Sequence, residues 1–244
     1  MATIDATELH YKDLNEQVCR LAGDGEKHIE LRNVCGQKFI GGGLKGDVKI
    51  DVYGVPGNDL AAFMDGPEIE VHGNGQDGIG NTMNAGRIVI HGHAGDVIGY
   101  AMRGGRIFVR GDVGYRVGIH MKSYRDNVPC IVVGGTASNF FGEYMAGGIM
   151  VLLGLKDNGH PIAGDYVGTG MHGGVIYVRG DVDDRFLGRE VRKTELDAED
   201  VKTLSGLVKE YCGHFGRSYD EVMGGKFVKL APKSHRPYGN MYAH

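Results

Sequence analysis

Apolar residues alternate along most of this chain inside a fixed frame. Ile88 and Ile90 lie between Gly86 and Gly92, and nineteen residues later Ile107 and Val109 lie between Gly105 and Gly111. Backwards, the frame holds Pro67, Ile69, Val71 and Gly73, and before them Val48, Ile50, Val52 and Gly54. Forwards it resumes at Pro129, Ile131, Val133 and Gly135, then at Gly148, Met150, Leu152 and Gly154, and last at Gly174, Ile176, Val178 and Gly180. The steps from Gly111 to Gly135 and from Gly154 to Gly180 are longer, so two turns carry insertions. Alternation with period two is the signature of a strand with one buried face. It predicts strands near 29–34, 48–53, 67–72, 86–91, 105–110, 130–134, 148–153 and 174–179. All should be parallel, with Ile88, Ile90, Ile107 and Val109 buried.

The residues between strands repeat as well. Gly42, Gly80, Gly99, Gly118, Gly142 and Gly168 hold one position of the frame, with Ala61 as the exception. Met64, Met83, Met102, Met121, Met145 and Met171 hold another, three residues later. A period near twenty with short strands means a solenoid, since helical repeats and propeller blades need longer periods. The predicted fold is an all-β solenoid, a right-handed parallel β-helix of seven to eight coils spaced by about 4.8 Å. Gly80, Gly99, Gly118, Gly142 and Gly168 are its structural corners, where positive φ or close approach of the next coil excludes a side chain. The Met column would fill the bore with an adaptable side chain.

The flanks read as caps. Residues 1–28 form an N-terminal helical cap, with Tyr11, Leu14, Val18, Leu21 and Ala22 at helical spacing and Gly23 and Gly25 as stops. The solenoid spans 29–182. In 183–244, Asp197-Ala198-Glu199-Asp200 opens a second helix with an acidic first turn. Its predicted apolar stripe is Val201, Leu204, Leu207, Val208 and Tyr211. Ser218 and Glu221 frame a short third helix closed by Gly224. Lys226–Leu230 reads as a last strand, followed by a basic tail. Such terminal elements cover exposed strand edges.

Composition narrows the function. Gly is 43 of 244 residues and Pro only 6, which suits tight corners and excludes collagen. The net charge of −4 gives no basic footprint for nucleic acid. No apolar run approaches about 18 residues and the start lacks signal-peptide character, so a cytoplasmic location without a membrane span is expected. Cys19, Cys35, Cys130 and Cys212 form no Cys-x-x-Cys pair, which gives no zinc or iron–sulfur spacing.

Candidate chemistry is sparse. His91-Gly92-His93 offers two metal ligands but no third nearby, so a surface turn is the better reading. Gly73-Asn74-Gly75-Gln76-Asp77-Gly78 fits a dinucleotide fingerprint only with one Gly moved, and no helix follows. Cys130 has no histidine placed to activate it. Catalytic, cofactor and metal residues are therefore expected to be absent. One column is more informative. The outward position between the inner apolar pairs reads Asp51, Glu70, Val89, Phe108, Val132, Val151, Tyr177, and two residues on reads Tyr53, His72, His91, Arg110, Gly134, Leu153, Arg179. Val89, Phe108, Val132, Val151 and Tyr177 form an apolar outer face that must be covered, by the C-terminal helix or by a partner protein. They are the candidate interface.

The repeat, with its Gly-x-x-x-Gly and Gly-Gly corners, resembles the GXGXG domain, the C-terminal β-helix of the glutamate synthase large subunit. A β-helix subunit of formylmethanofuran dehydrogenase carries the same repeat. Three stretches are similar to the synthase: Ile29-Glu30-Leu31-Arg32-Asn33-Val34 leading to Gly41-Gly42, the Gly-Tyr-Ala-Met-x-Gly-Gly corner at 99–105, and Phe227-Val228-Lys229-Leu230-Ala231-Pro232 after a helix. The resemblance spans about Ile29 to Arg236. It implies a non-catalytic scaffold subunit that positions glutaminase-type and FMN-synthase-type subunits for ammonia transfer and glutamate formation. FMN and an iron–sulfur cluster are expected on those partners and none on this chain. With Ala2 behind Met1, no N-terminal glutaminase nucleophile is expected. A subunit of a molybdenum or tungsten formylmethanofuran dehydrogenase and an independent β-helix enzyme remain as alternatives, and a homo-oligomer is compatible with the sequence.

Overall fold

The computed structural model of the protein describes residues 1–155, 159 and 161–235. The basic tail beyond 235 lies outside the described residues. The repeat frame winds into a β-solenoid of about six turns. Its strands are β1 (Ala2–Asp5), β2 (His28–Cys35), β3 (Lys49–Val55), β4 (Asp65–Val71), β5 (Ala85–Ile90), β6 (Arg106–Val109), β7 (Cys130–Val133), β8 (Ala146–Leu152), β9 (Gly173–Arg179), β10 (Val191–Thr194) and β11 (Phe227–Pro232). The helices are α1 (Tyr11–Gly23), α2 (Ala198–Phe215) and α3 (Tyr219–Met223). From β1 to β9 each strand pairs in parallel with the next. Equivalent residues of the frame stack, as in Ile69↔Ile88 and Ile88↔Ile107.

The alternating pairs point into the bore. Ile88, Ile90, Ile107 and Val109 are fully buried, as are all six column methionines. The corners return the chain inward. At Gly80 the N–H donates to the Leu60 carbonyl of the preceding coil at 2.9 Å, while the Gly80 carbonyl accepts from Met83 N–H at 3.1 Å. The corner is thus itself a coil-to-coil ladder. Gly80, Gly99, Gly118, Gly142 and Gly168 all have positive φ, at 69°, 68°, 73°, 74° and 67°. A Cβ at Gly80 would stand 2.6 Å from Ile107 Cδ1, and one at Gly142 2.6 Å from Ile176 Cδ1. Backbone angle and bore packing therefore both demand glycine. In the first coil the corner falls on Gly41, not Gly42. Gly41 has φ 70° and faces the Ile69 side chain, whereas a Cβ on Gly42 would meet the Phe39 carbonyl oxygen. That coil is one residue longer, and Leu44 stands where later coils have Met.

The N-terminal cap is more than a helix. β1 extends the sheet beyond β2, and Leu14 and Val18 of α1 plug the bore. At the other end the closure differs from the predicted helical cap. β11 lies between β9 and β10, antiparallel to both, and buried Leu230 and Val191 seal the bore. α2 lies along the flank instead. Its Asp197 side chain accepts from the N–H groups of Glu199 and Asp200, and Asp200 accepts from Asp197 N–H, a reciprocal box. Gly216 closes it at φ 61°. Val201, predicted in the apolar stripe, is exposed, while Asp200 faces inward to accept from Tyr177 Oη and Lys229 Nζ, each at 2.6 Å. No helix of the described residues is long and apolar enough to cross a membrane.

Candidate functional site

One outward ladder runs through β2–β9: Glu30, Asp51, Glu70, Val89, Phe108, Val132, Val151, Tyr177. Its apolar part is buried, and packs with Leu204, Leu207, Val208 and Tyr211 of α2 in a second core. Val89, Phe108, Val132, Val151 and Tyr177 are therefore not a free partner surface. The chain's own helix covers them because it presents apolar side chains at matching spacing. Arg87 and Arg106 of the sheet also pair with Glu210 of the helix.

The charged part gathers carboxylates, histidines and a lysine. Asp51 accepts from His28 Nε2 at 2.6 Å and faces His72 Nε2 at 2.9 Å. Glu70 Oε1 faces His91 Nε2 at 2.8 Å. Lys49 Nζ stands 3.4 Å from Asp51 and 3.1 Å from Glu70 Oε2. Burial pushes both carboxyls up, but the histidine hydrogen bonds and the Lys49 charge outweigh it and hold them below the usual carboxylate range. Tyr53 stacks on His72 with centroids 4.4 Å apart, and Phe215 of α2 meets His91 edge-on at 5.3 Å. Metal-donor atoms of Glu70, His72 and His91 all lie within 4.8 Å of one another.

The local motifs resolve differently. His93 does not join His91. Its Nδ1 accepts from Asp112 N–H at 3.0 Å, and its own N–H donates to Asn74 Oδ1 at 2.9 Å. It belongs to a corner ladder in which side chains cap the next coil, continued by Asp77 accepting from Asp96 N–H. The Gly73–Gly78 stretch is part of that corner and leads into a left-handed turn, not a helix. Cys130 and Cys212 sit in the second core, and burial pushes the Cys130 thiol up to about 11, away from the thiolate that a cluster or nucleophile requires. The sequence expectation of no metal ligands rested on local spacing. The pair that meets is His72 and His91, one period apart, and both already stood in the column two residues beyond the outward ladder.

The chain matches the GXGXG motif family over residues 28–233. It is 46% identical over 248 aligned positions to the uncharacterized protein MJ1350 of Methanocaldococcus jannaschii, covering 98% of this chain and 95% of that one. The match encloses every parallel strand from β2 onward, the second core and the closing β11. This chain belongs to the GXGXG motif family.

Proposed function

We propose that this protein is a non-catalytic scaffold subunit of a glutamate-synthase-like complex, holding glutaminase-type and FMN/iron–sulfur synthase-type subunits in register. The observation that carries the reading is the family match over 28–233. On this reading the coils number seven to eight, wind to the right, and act in the cytoplasm, with FMN and the cluster on the partners. With the apolar ladder under α2, partner contact falls to the corner face, where Phe63, Tyr100, Tyr144 and Tyr166 are exposed. His120 stacks on Tyr144 there, with centroids 5.4 Å apart. Rigid exposed aromatics supply large contact area at low entropic cost.

The test is affinity purification of the native protein from its own cells, with mass spectrometry of what comes with it. Glutaminase-type and FMN-type subunits are expected, and Tyr144→Asp should reduce their recovery without lowering the melting temperature. Recovery of molybdenum or tungsten dehydrogenase subunits, or of this chain alone, would overturn the reading.

A further inference from the structure

We infer that Glu70, His72 and His91 form a binding site for one divalent transition-metal ion of the zinc class. The inference is independent of the scaffold reading. The backbone holds the donors in place across two coils. Val71 pairs with Ile90, His72 N–H donates to Val52 carbonyl at 2.9 Å, and His91 N–H donates to Val71 carbonyl at 2.9 Å. The two imidazoles therefore stand one coil apart with rings nearly parallel, 14° between planes. Glu70 has its Oε2 committed to Lys49 and its Oε1 turned toward His91, so it offers one oxygen.

The surroundings resemble what a metal site needs. Asp51, almost fully buried, holds His72 Nε2 at 2.9 Å and so fixes the ring, as carboxylates do beside metal-ligating histidines. Tyr53 and Phe215 wall the two rings from opposite sides. His72, His91 and Glu70 keep about a quarter of their side chains exposed, which leaves an entrance. Charge favours a cation. Asp51 and Glu70 are direct cross-strand neighbours, an unfavourable pairing of like charges, and the Lys49 ammonium stands within 3.4 Å and 3.1 Å of them. Two imidazoles and a carboxylate suit zinc and its neighbours, whereas calcium and magnesium take oxygen donors. Three protein donors leave one position for water.

The test is titration of the purified, chelator-treated full chain with zinc chloride, and with cobalt chloride followed by visible absorption. One ion per chain is expected, with the d–d bands of four-coordinate cobalt. His91→Ala and Glu70→Gln should each weaken zinc binding by about 100-fold, and Asp51→Asn by about 10-fold. His93→Ala should leave it unchanged. Glu70→Gln keeps the side-chain shape, so it serves if His91→Ala does not fold. Binding that is absent or not stoichiometric, that falls equally in His93→Ala, or that magnesium abolishes as well as zinc would overturn the assignment.

Discussion

Between β2 and β4 the outward ladder carries Glu30, Asp51 and Glu70, and between β5 and β9 it carries Val89, Phe108, Val132, Val151 and Tyr177. The hydrogen-bonded register runs through both without a change of frame. On the charged part the ladder binds its own histidines and lysine. On the apolar part it recruits α2 and becomes a second core. A solenoid fixes where side chains stand, and the side chains then decide whether a flank becomes a site or an interior.

Placing a charge in the apolar part should have the largest effect. Phe108 is fully buried under α2, so Phe108→Asp combines lost packing with an unpaired buried carboxylate and should cost about 4 kcal/mol. Denaturant unfolding checks this, with hydrogen exchange expected to accelerate in α2 ahead of the bore. An unchanged midpoint would mean that the two parts do not differ as described.

The corner shared by both parts comes next. At Gly99, φ is 68° and a Cβ would run into the Ile131 side chain. Gly99→Val should cost about 2 kcal/mol or more from backbone strain and overpacking. Thermal melting reads it, and because the corner serves the bore, exchange should quicken in β5–β7 before α2.

The smallest effect is a titration at the edge of the second core. Burial pushes the Asp200 carboxyl up, but Lys229, Tyr177 and the Asp197 N–H outweigh it and leave it lowered. A group with a lowered folded pKa contributes stability that is complete above the unfolded value of about 3.9 and is lost as pH falls through the folded one. Stability should therefore decline below about pH 4, and the decline should be shallower in Asp200→Asn. Parallel acid-unfolding curves for the two proteins would remove Asp200 from the account.

The parallel strands β3–β9 were legible because each repeats the same alternation inside one frame, and the C-terminal helices because Asp197, Ser218 and Gly224 punctuate them. β1 was not, since Ala2–Asp5 buries only Ile4 and lies outside the frame. β10 likewise buries only Val191, and nothing in an alternating pattern encodes that β11 runs antiparallel. The one-residue slip from Gly42 to Gly41 was hidden because both positions are glycine. The apolar outer face was visible, but a helix and a partner protein leave the same trace in composition. The histidine–carboxylate cluster eluded a search for neighbours in sequence, because in a coil of nineteen the chemical neighbour of His72 is His91.

The two long turns have a consequence for how this molecule can change. Any added segment shorter than a coil must leave through a corner, as the stretch around the Tyr124–Asn127 bridge does after β6. Strands on either side of that excursion keep their pairing, with Phe108 still opposite Val132. Decoration and length are therefore inherited separately. Loops of arbitrary size can grow at corners, while the distance between the two ends changes only in whole steps of about 4.8 Å. The chain works as a graduated rule, lengthened one mark at a time.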